Sequence, residues 1–183
     1  MSSKTTYVSL LRGINVSGHK IIKMEQLRAA LEALGFEDVK TYVQSGNVVF
    51  RAPMQDSSKL VEKIAEKVLS QFGFSVPVLV KTAEEINAII KKNPFLKENG
   101  IDVSKLHVTF LSSAADRSAL KMLDTIAAGP DRFRCSVDAI YLHCPGGYGE
   151  TKLSNNALEK VLSVRATTRN WNTVKKLYEM TIG

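Results

Sequence analysis

Three observations predict an α+β fold built from two ferredoxin-like (βαββαβ-type) halves packed together. Apolar residues alternate with period two in some segments and recur every three to four residues in others. In the first half these segments follow one another as β-α-β-β-α-β. The second half repeats the order through β-α-β-β-α and ends in a last helix. The 183 residues are 44% hydrophobic and 23% charged, which supplies a core and excludes a disordered chain.

The elements read as follows. Thr6 to Ile14, rich in β-branched residues, is the first strand. Met24, Leu27, Leu31 and Leu34 make a helical stripe that Gly35 stops. Val39 to Ala52 forms a hairpin turning at Ser45-Gly46-Asn47. Parity places Val39, Val43, Val48 and Phe50 on one face, and Tyr42, Gln44, Val49 and Arg51 on the other. Ser58 to Phe72 is a second helix, with Leu60, Ile64, Val68 and Phe72 as its stripe and Gly73 at its end; Ser75 to Lys81 is a strand. Thr82 and Glu85 form a capping box for a short helix that ends at Asn93-Pro94. Residues 1–92 thus make one half, 93–105 a polar connector and 106–183 the other half with its closing helix. In that second half Leu106 to Ser112 is a strand and Asp116 to Ala127 a helix. Phe133 to Cys144 is a hairpin turning near Asp138-Ala139, and Ser154 caps a helix with Leu153 and Leu158 as its hydrophobic staple. The last helix runs from about Trp171 to Met180, capped by Thr168 or Asn170, with Trp171 as a packing anchor.

The net charge of +7 is unevenly placed. Residues 1–24 hold Lys4, Arg12, Lys20 and Lys23 with no acid; residues 160–178 hold Lys160, Arg165, Arg169, Lys175 and Lys176, again with none. Setting these nine aside leaves 16 of the 25 basic residues against 18 acids, so the excess belongs to the two chain ends. If the fold brings them together they form a patch that attracts phosphate or another polyanion. No apolar run approaches the ~20 residues of a spanning helix. The start, Met1-Ser2-Ser3-Lys4, leads directly into a strand with no apolar leader, so the expected address is cytoplasmic.

Little in the sequence carries catalytic chemistry. Parity puts Cys135 and Cys144 on one face of the second hairpin, with Cys135 opposite Leu142 and Cys144 opposite Phe133, as buried core thiols too far apart to bridge. His107 and His143 have no partner at a metal-ligand spacing, and His19 sits in a loop where it can donate to an anion, so neither metal nor cofactor is expected. No acid–base pair is nominated and the catalytic residues are unknown. Gly13 to Lys20 approaches a P-loop, but His19 stands where the motif needs Lys. What remains is a Gly/Asn/Ser loop between Arg12 and Lys20 that offers backbone N–H groups and charge, ahead of a helix with no N-cap side chain. Pro145 to Lys152 is a second Gly-rich loop, which places Lys152 near a helix start. Arg165 and Arg169, with no evident acid nearby, suit bidentate anion contacts.

Three stretches, Leu11-Arg12-Gly13-Ile14-Asn15-Val16, Tyr42-Val43-Gln44-Ser45-Gly46-Asn47-Val48 and Ala166-Thr167-Thr168-Arg169-Asn170-Trp171-Asn172, together resemble the bacterial family catalogued as domain of unknown function 1697. The resemblance implies the same α+β fold of two ferredoxin-like halves. It marks Arg12, Asn15, Gln44, Ser45, Asn47, Thr168, Arg169 and Asn170 as motif positions and implies no catalytic role. Binding of a small phosphorylated or nucleotide-like anion is therefore the leading expectation, through Arg12, Asn15, Lys20, Gln44, Ser45, Asn47, Lys152, Arg165, Arg169 and Asn170 in a basic cleft between the chain ends. The alternatives are an RNA-binding module, for which Tyr7 and Tyr42 are the nearby aromatics, and a protein-interaction or homo-oligomerisation module. The sequence leaves the oligomeric state open.

Overall fold

The computed structural model describes residues 3–127 and 129–183. It has mixed α+β architecture, with two four-stranded antiparallel sheets and, among the described residues, six α-helices. In chain order these are β1 (Lys4–Leu11), α1 (Met24–Glu32), β2 (Glu37–Tyr42), β3 (Asn47–Pro53), α2 (Ser57–Phe72), β4 (Val78–Thr82) and α3 (Ala83–Lys91). Then follow β5 (Leu106–Leu111), α4 (Arg117–Met122), β6 (Arg132–Cys135), β7 (Ala139–His143), α5 (Asn155–Leu162), β8 (Ala166–Asn170) and α6 (Trp171–Ile182). The chain divides into two compact units, one formed by Met1–Asn87 with Lys176–Gly183 and the other by Ala88–Lys175.

In the first unit the sheet order is β2-β3-β1-β4. Tyr7 lies opposite Phe50 and Thr82, and Ser9 opposite Val48 and Val80, so one face of the sheet presents Tyr7, Leu11, Val48, Phe50 and Val80. The apolar stripes of α1 (Leu27, Leu31) and α2 (Leu60, Ile64, Val68) are buried against that face. Each such side chain contributes roughly 1.5–3 kcal/mol when fully buried. Phe50 stacks between Phe36 at 4.5 Å and Tyr7 at 5.7 Å. The Asp56 carboxylate accepts from Ser58 N–H to open α2, and Gly73 at φ 81° closes it through its N–H to Leu69 O. Thr82 and Glu85 form the expected capping box, at 2.7 and 3.2 Å.

The first hairpin turns earlier and more widely than expected. Tyr42 faces Asn47, so residues 43–46 form the turn, with Val43 and Gly46 both left-handed. Val39, Val48 and Phe50 keep the core face, whereas Val43 leaves it and is half exposed. Gln44 likewise belongs to the turn and to neither face of the sheet. The first strand ends at Leu11, not Ile14, because Gly13 (φ 74°) and Asn15 (φ 53°) turn the chain away.

The second unit repeats the pattern with the order β6-β7-β5-β8, and Leu111, Ile140, Leu142, Leu153, Leu158, Leu162 and Ala166 form its core. The expected helix from Asp116 to Ala127 is shorter. Asp116 caps α4 from outside through Ser118 and Ala119 N–H, and from Leu123 the chain tightens into a 3-10 turn. In the second hairpin the N–H of Ser136 bonds Ala139 O at 2.8 Å, placing the turn at Val137-Asp138, one residue before the expected position. Cys135 therefore faces Ile140, and Phe133 faces Leu142. A one-residue shift of the turn moves partners by two, which preserves each residue's face. The two thiols are free but not both buried: Cys144 belongs to the core, while Cys135, on the outer strand beside the turn, is exposed. Ala166–Asn170, where the sequence predicts only a cap for the last helix, is a strand beside β5. Trp171 is buried, as a packing anchor should be.

Candidate functional site

The first and second motifs meet in the first unit, where the end of β1 runs beside the β2–β3 turn. Leu11 N–H donates to Gly46 O at 2.9 Å, and Arg12 N–H to Pro77 O at 3.0 Å. The loop then folds on itself: Asn15 N–H bonds Lys20 O, and His19 N–H bonds Val16 O. Backbone donors expected to face an anion are thus partly used within the loop. The Asn15 side chain ties the region together. Its amide nitrogen donates to the carbonyls of Ile22 and Gln44, both at 2.9 Å, and its oxygen accepts from Ile22 N–H at 2.8 Å.

Asn47 is fully buried and donates to Tyr42 O and to Ser45 Oγ, closing the turn from inside. The Lys20 ammonium reaches Ser75 O at 2.8 Å. Arg12 is half-buried and the Gln44 side chain is exposed. Asn15 is therefore bonded to Gln44 O and Asn47 to Ser45 Oγ, adjacent residues of one turn, with Arg12 and Lys20 on the loop that Asn15 holds.

The remaining expected residues belong to the second unit. Lys152 is exposed, two residues before the Ser154 cap. Arg165 is largely exposed and does have an acid nearby, Glu159 of α5 at 4.0 Å, contrary to the sequence reading. The fold supplies this partner from six residues earlier, a separation at which sequence suggests no pairing. Arg169 is half-buried and donates to Thr168 O at 3.0 Å; burial lowers its guanidinium pKa to about 10. Asn170 accepts from Thr173 N–H at 2.8 Å, so its side chain caps α6. Thr168 shares a 2.7 Å hydrogen bond with Thr109 and donates to Asn155 at 2.7 Å.

His107 stacks on Tyr148 at 5.2 Å, and burial lowers its pKa below the ordinary 6.5. Among the described residues no three His, Cys, Asp or Glu side chains cluster as metal ligands, and no helix is long and apolar enough to cross a membrane. The second unit also carries a groove of about 760 Å³ whose lining includes none of the expected site residues. Its cations come from sequence positions that show no common motif, which is why sequence reading passed over it.

Residues 4–141 match the family model described as "Protein of unknown function (DUF1697)". No curated protein matches the chain. Among solved structures, the conserved bacterial protein SP0830 from Streptococcus pneumoniae is similar, with a TM-score of 0.78 at 23% sequence identity. The likeness covers 98% of this chain and 99% of that one, and at this identity it shows the fold alone.

Proposed function

We propose a function for a chain that belongs to the family described as Protein of unknown function (DUF1697): it binds a small anionic ligand, phosphorylated or nucleotide-like, in the cytosol. The first set of site residues, contacts together with the frame that holds them, is Arg12, Asn15, Lys20, Gln44, Ser45 and Asn47. A second set of proposed contacts, Lys152, Arg165, Arg169 and Asn170, belongs to the second unit. The same reading takes each unit as a ferredoxin-like half, supported by the β-α-β-β-α-β order in both and by their matching strand orders.

One observation carries the binding reading. Asn15, Ser17, Lys20 and Val43 all adopt positive φ, near 50°, in the two segments that the Asn15 amide links. Such conformations cost roughly 1–3 kcal/mol each, and a β-branched residue such as Val43 tolerates them least. A plain hairpin connection would place Gly or Asn there. Three of these four residues lie in a segment, residues 12–24, that carries Arg12, Lys20 and Lys23 and no acid. Strained backbone of this kind clusters at ligand clamps. Asn15 and Asn47 then act as the frame, while Arg12, Lys20 and Gln44 supply contacts. Calorimetric titration with inorganic phosphate and nucleoside monophosphates tests this. Binding that weakens about tenfold in Arg12→Gln, the size of one lost charge-assisted contact, is expected. The absence of heat and of any melting shift with every member of the panel at millimolar concentration would overturn it.

The RNA-binding reading has less support, since Tyr7 is stacked in the core and Val8, Leu10 and Val49 on the other face are buried, which leaves Tyr42 as its one partly exposed aromatic. A protein-interaction reading has one observation in its favour. Val16, Ile21 and Val43 expose 56%, 59% and 52% of their surface in the loop and turn that Asn15 joins. Light scattering that finds a monomer at high concentration removes its homo-oligomeric form.

A further inference from the structure

The groove of about 760 Å³ in the second unit lies at β6, the outer strand of that sheet, within the size range of small-molecule sites. Lys92, Arg117 and Arg134 line it, and no carboxylate does. Arg134 is held in place: it donates to Phe133 O at 2.9 Å, lies over the Phe95 ring at 5.5 Å, and has Glu98 at 3.9 Å. The Lys92 and Arg117 side chains make no hydrogen bond or ion pair with another described residue, and both residues are exposed.

The rest of the lining is largely apolar. Leu120 contributes from α4, and Val137 exposes 62% of its surface from a hairpin turn position that Gly, Asn or Asp usually occupies. An apolar wall with a cationic rim and no carboxylate in its lining complements one kind of molecule. We propose that this groove binds a small amphipathic anion, its apolar body against Leu120 and Val137 and its carboxylate or phosphate head between Lys92 and Arg117. The inference is independent of the anion site proposed for the first unit, and either can fail without the other.

Cys135 lines the same groove and reports on its occupancy. The residue is exposed, yet partial burial of its thiol, with Asp124 adding to the effect, pushes the pKa up to about 11, while Cys144 is in the core. Alkylation by iodoacetamide at pH 9, followed by intact-mass measurement, therefore reads Cys135 at a convenient slow rate. The rate is compared without ligand and with decanoate, decyl phosphate or decyltrimethylammonium at equal concentration below their micellar range. One or both anions are expected to slow alkylation about fivefold or more while the cation does not, and the protecting anion identifies the head group. The Lys92→Gln/Arg117→Gln double variant, altered only at exposed positions, should need about tenfold more anion for the same protection. Protection by neither anion, equal protection by the cation, or unchanged protection in the double variant each overturns the proposal.

Discussion

Gly46→Ala tests whether the meeting of the first two motifs is as tight as described. Gly46 has φ 76°, and a Cβ built there falls 2.7 Å from Leu11 Cβ and 2.8 Å from Ile14 Cδ1. Ile14 is 2% exposed and could turn its side-chain end only into packed core. Leu11 Cβ cannot retreat without moving β1, which is hydrogen-bonded to Gly46 itself at 2.9 Å. Placing an L-residue in the left-handed region costs about 1–2 kcal/mol. Overpacking a filled core adds roughly 1–3 kcal/mol. The combined loss of about 2–5 kcal/mol is a large share of the ~5–15 kcal/mol that holds a typical domain. Gly13→Ala separates the two effects, because Gly13 has φ 74° but nothing within 4 Å of the added carbon. Urea denaturation of both variants should show Gly46→Ala losing more stability than Gly13→Ala, by the packing contribution alone. Equal losses, or a greater loss at Gly13, would refute the close approach of turn and strand.

Three further outcomes are expected. Asn15→Ala removes three hydrogen bonds, at a cost of about 2–4 kcal/mol for the stranded backbone groups, and hydrogen exchange at the Ile22 amide should accelerate sharply. The Asp56 and Asp116 carboxylates are held below their ordinary 3.8 by hydrogen bonds from Ser58 and from Ser118, so they stabilise the fold above pH 3.8 and lose that effect as pH falls through the lowered folded value. Asn at both positions keeps the cap but does not titrate, and denaturation midpoints between pH 5 and 2 should then fall less steeply. His107 has the opposite charge logic: with its folded pKa lowered by burial, the unfolded chain takes up the proton first. Stability should decline as pH drops below 6.5 and level off under the folded value, and His107→Gln should flatten that decline.

The repeating element order was legible in the sequence because it rests on periodicity, which survives small errors in position. The second hairpin shows why. Its turn lies one residue from the expected place, yet Ile140, Leu142 and Cys144 still face the core, since faces depend on parity and partners on the turn itself. Exposure at strand ends is less legible. Cys135 alternates correctly with Phe133 but occupies the outer strand beside the turn, and the pattern contains nothing about which strand is outermost. β8 escaped notice because Ala-Thr-Thr-Arg-Asn alternates weakly, and its pairing with β5 across 50 or more residues supplies what local pattern lacks. The expected site residues divide between the two units, six in the first and four in the second, a division that charge counting could not reveal.

The motif residues themselves separate by how their polar atoms are used. Asn15 and Asn47 direct their side-chain amides at backbone carbonyls, and Asn170 spends its oxygen on the first turn of α6. A motif read from sequence gives these the same weight as Gln44, although a side chain committed to carbonyls has little left for a ligand. Asn15→Asp distinguishes frame from contact more sharply than alanine does. It is nearly isosteric, tolerates positive φ, and keeps the acceptor for Ile22 N–H, but it replaces two donated hydrogen bonds with a carboxylate facing the carbonyls of Ile22 and Gln44. If Asn15 is frame, Asn15→Asp should destabilise the first unit by about 2–4 kcal/mol, whether or not anion is present. If Asn15 instead touches the anion, the loss should appear mainly as weaker phosphate binding in a protein of near-native stability. Denaturation and titration of the same variant, side by side, decide between the two.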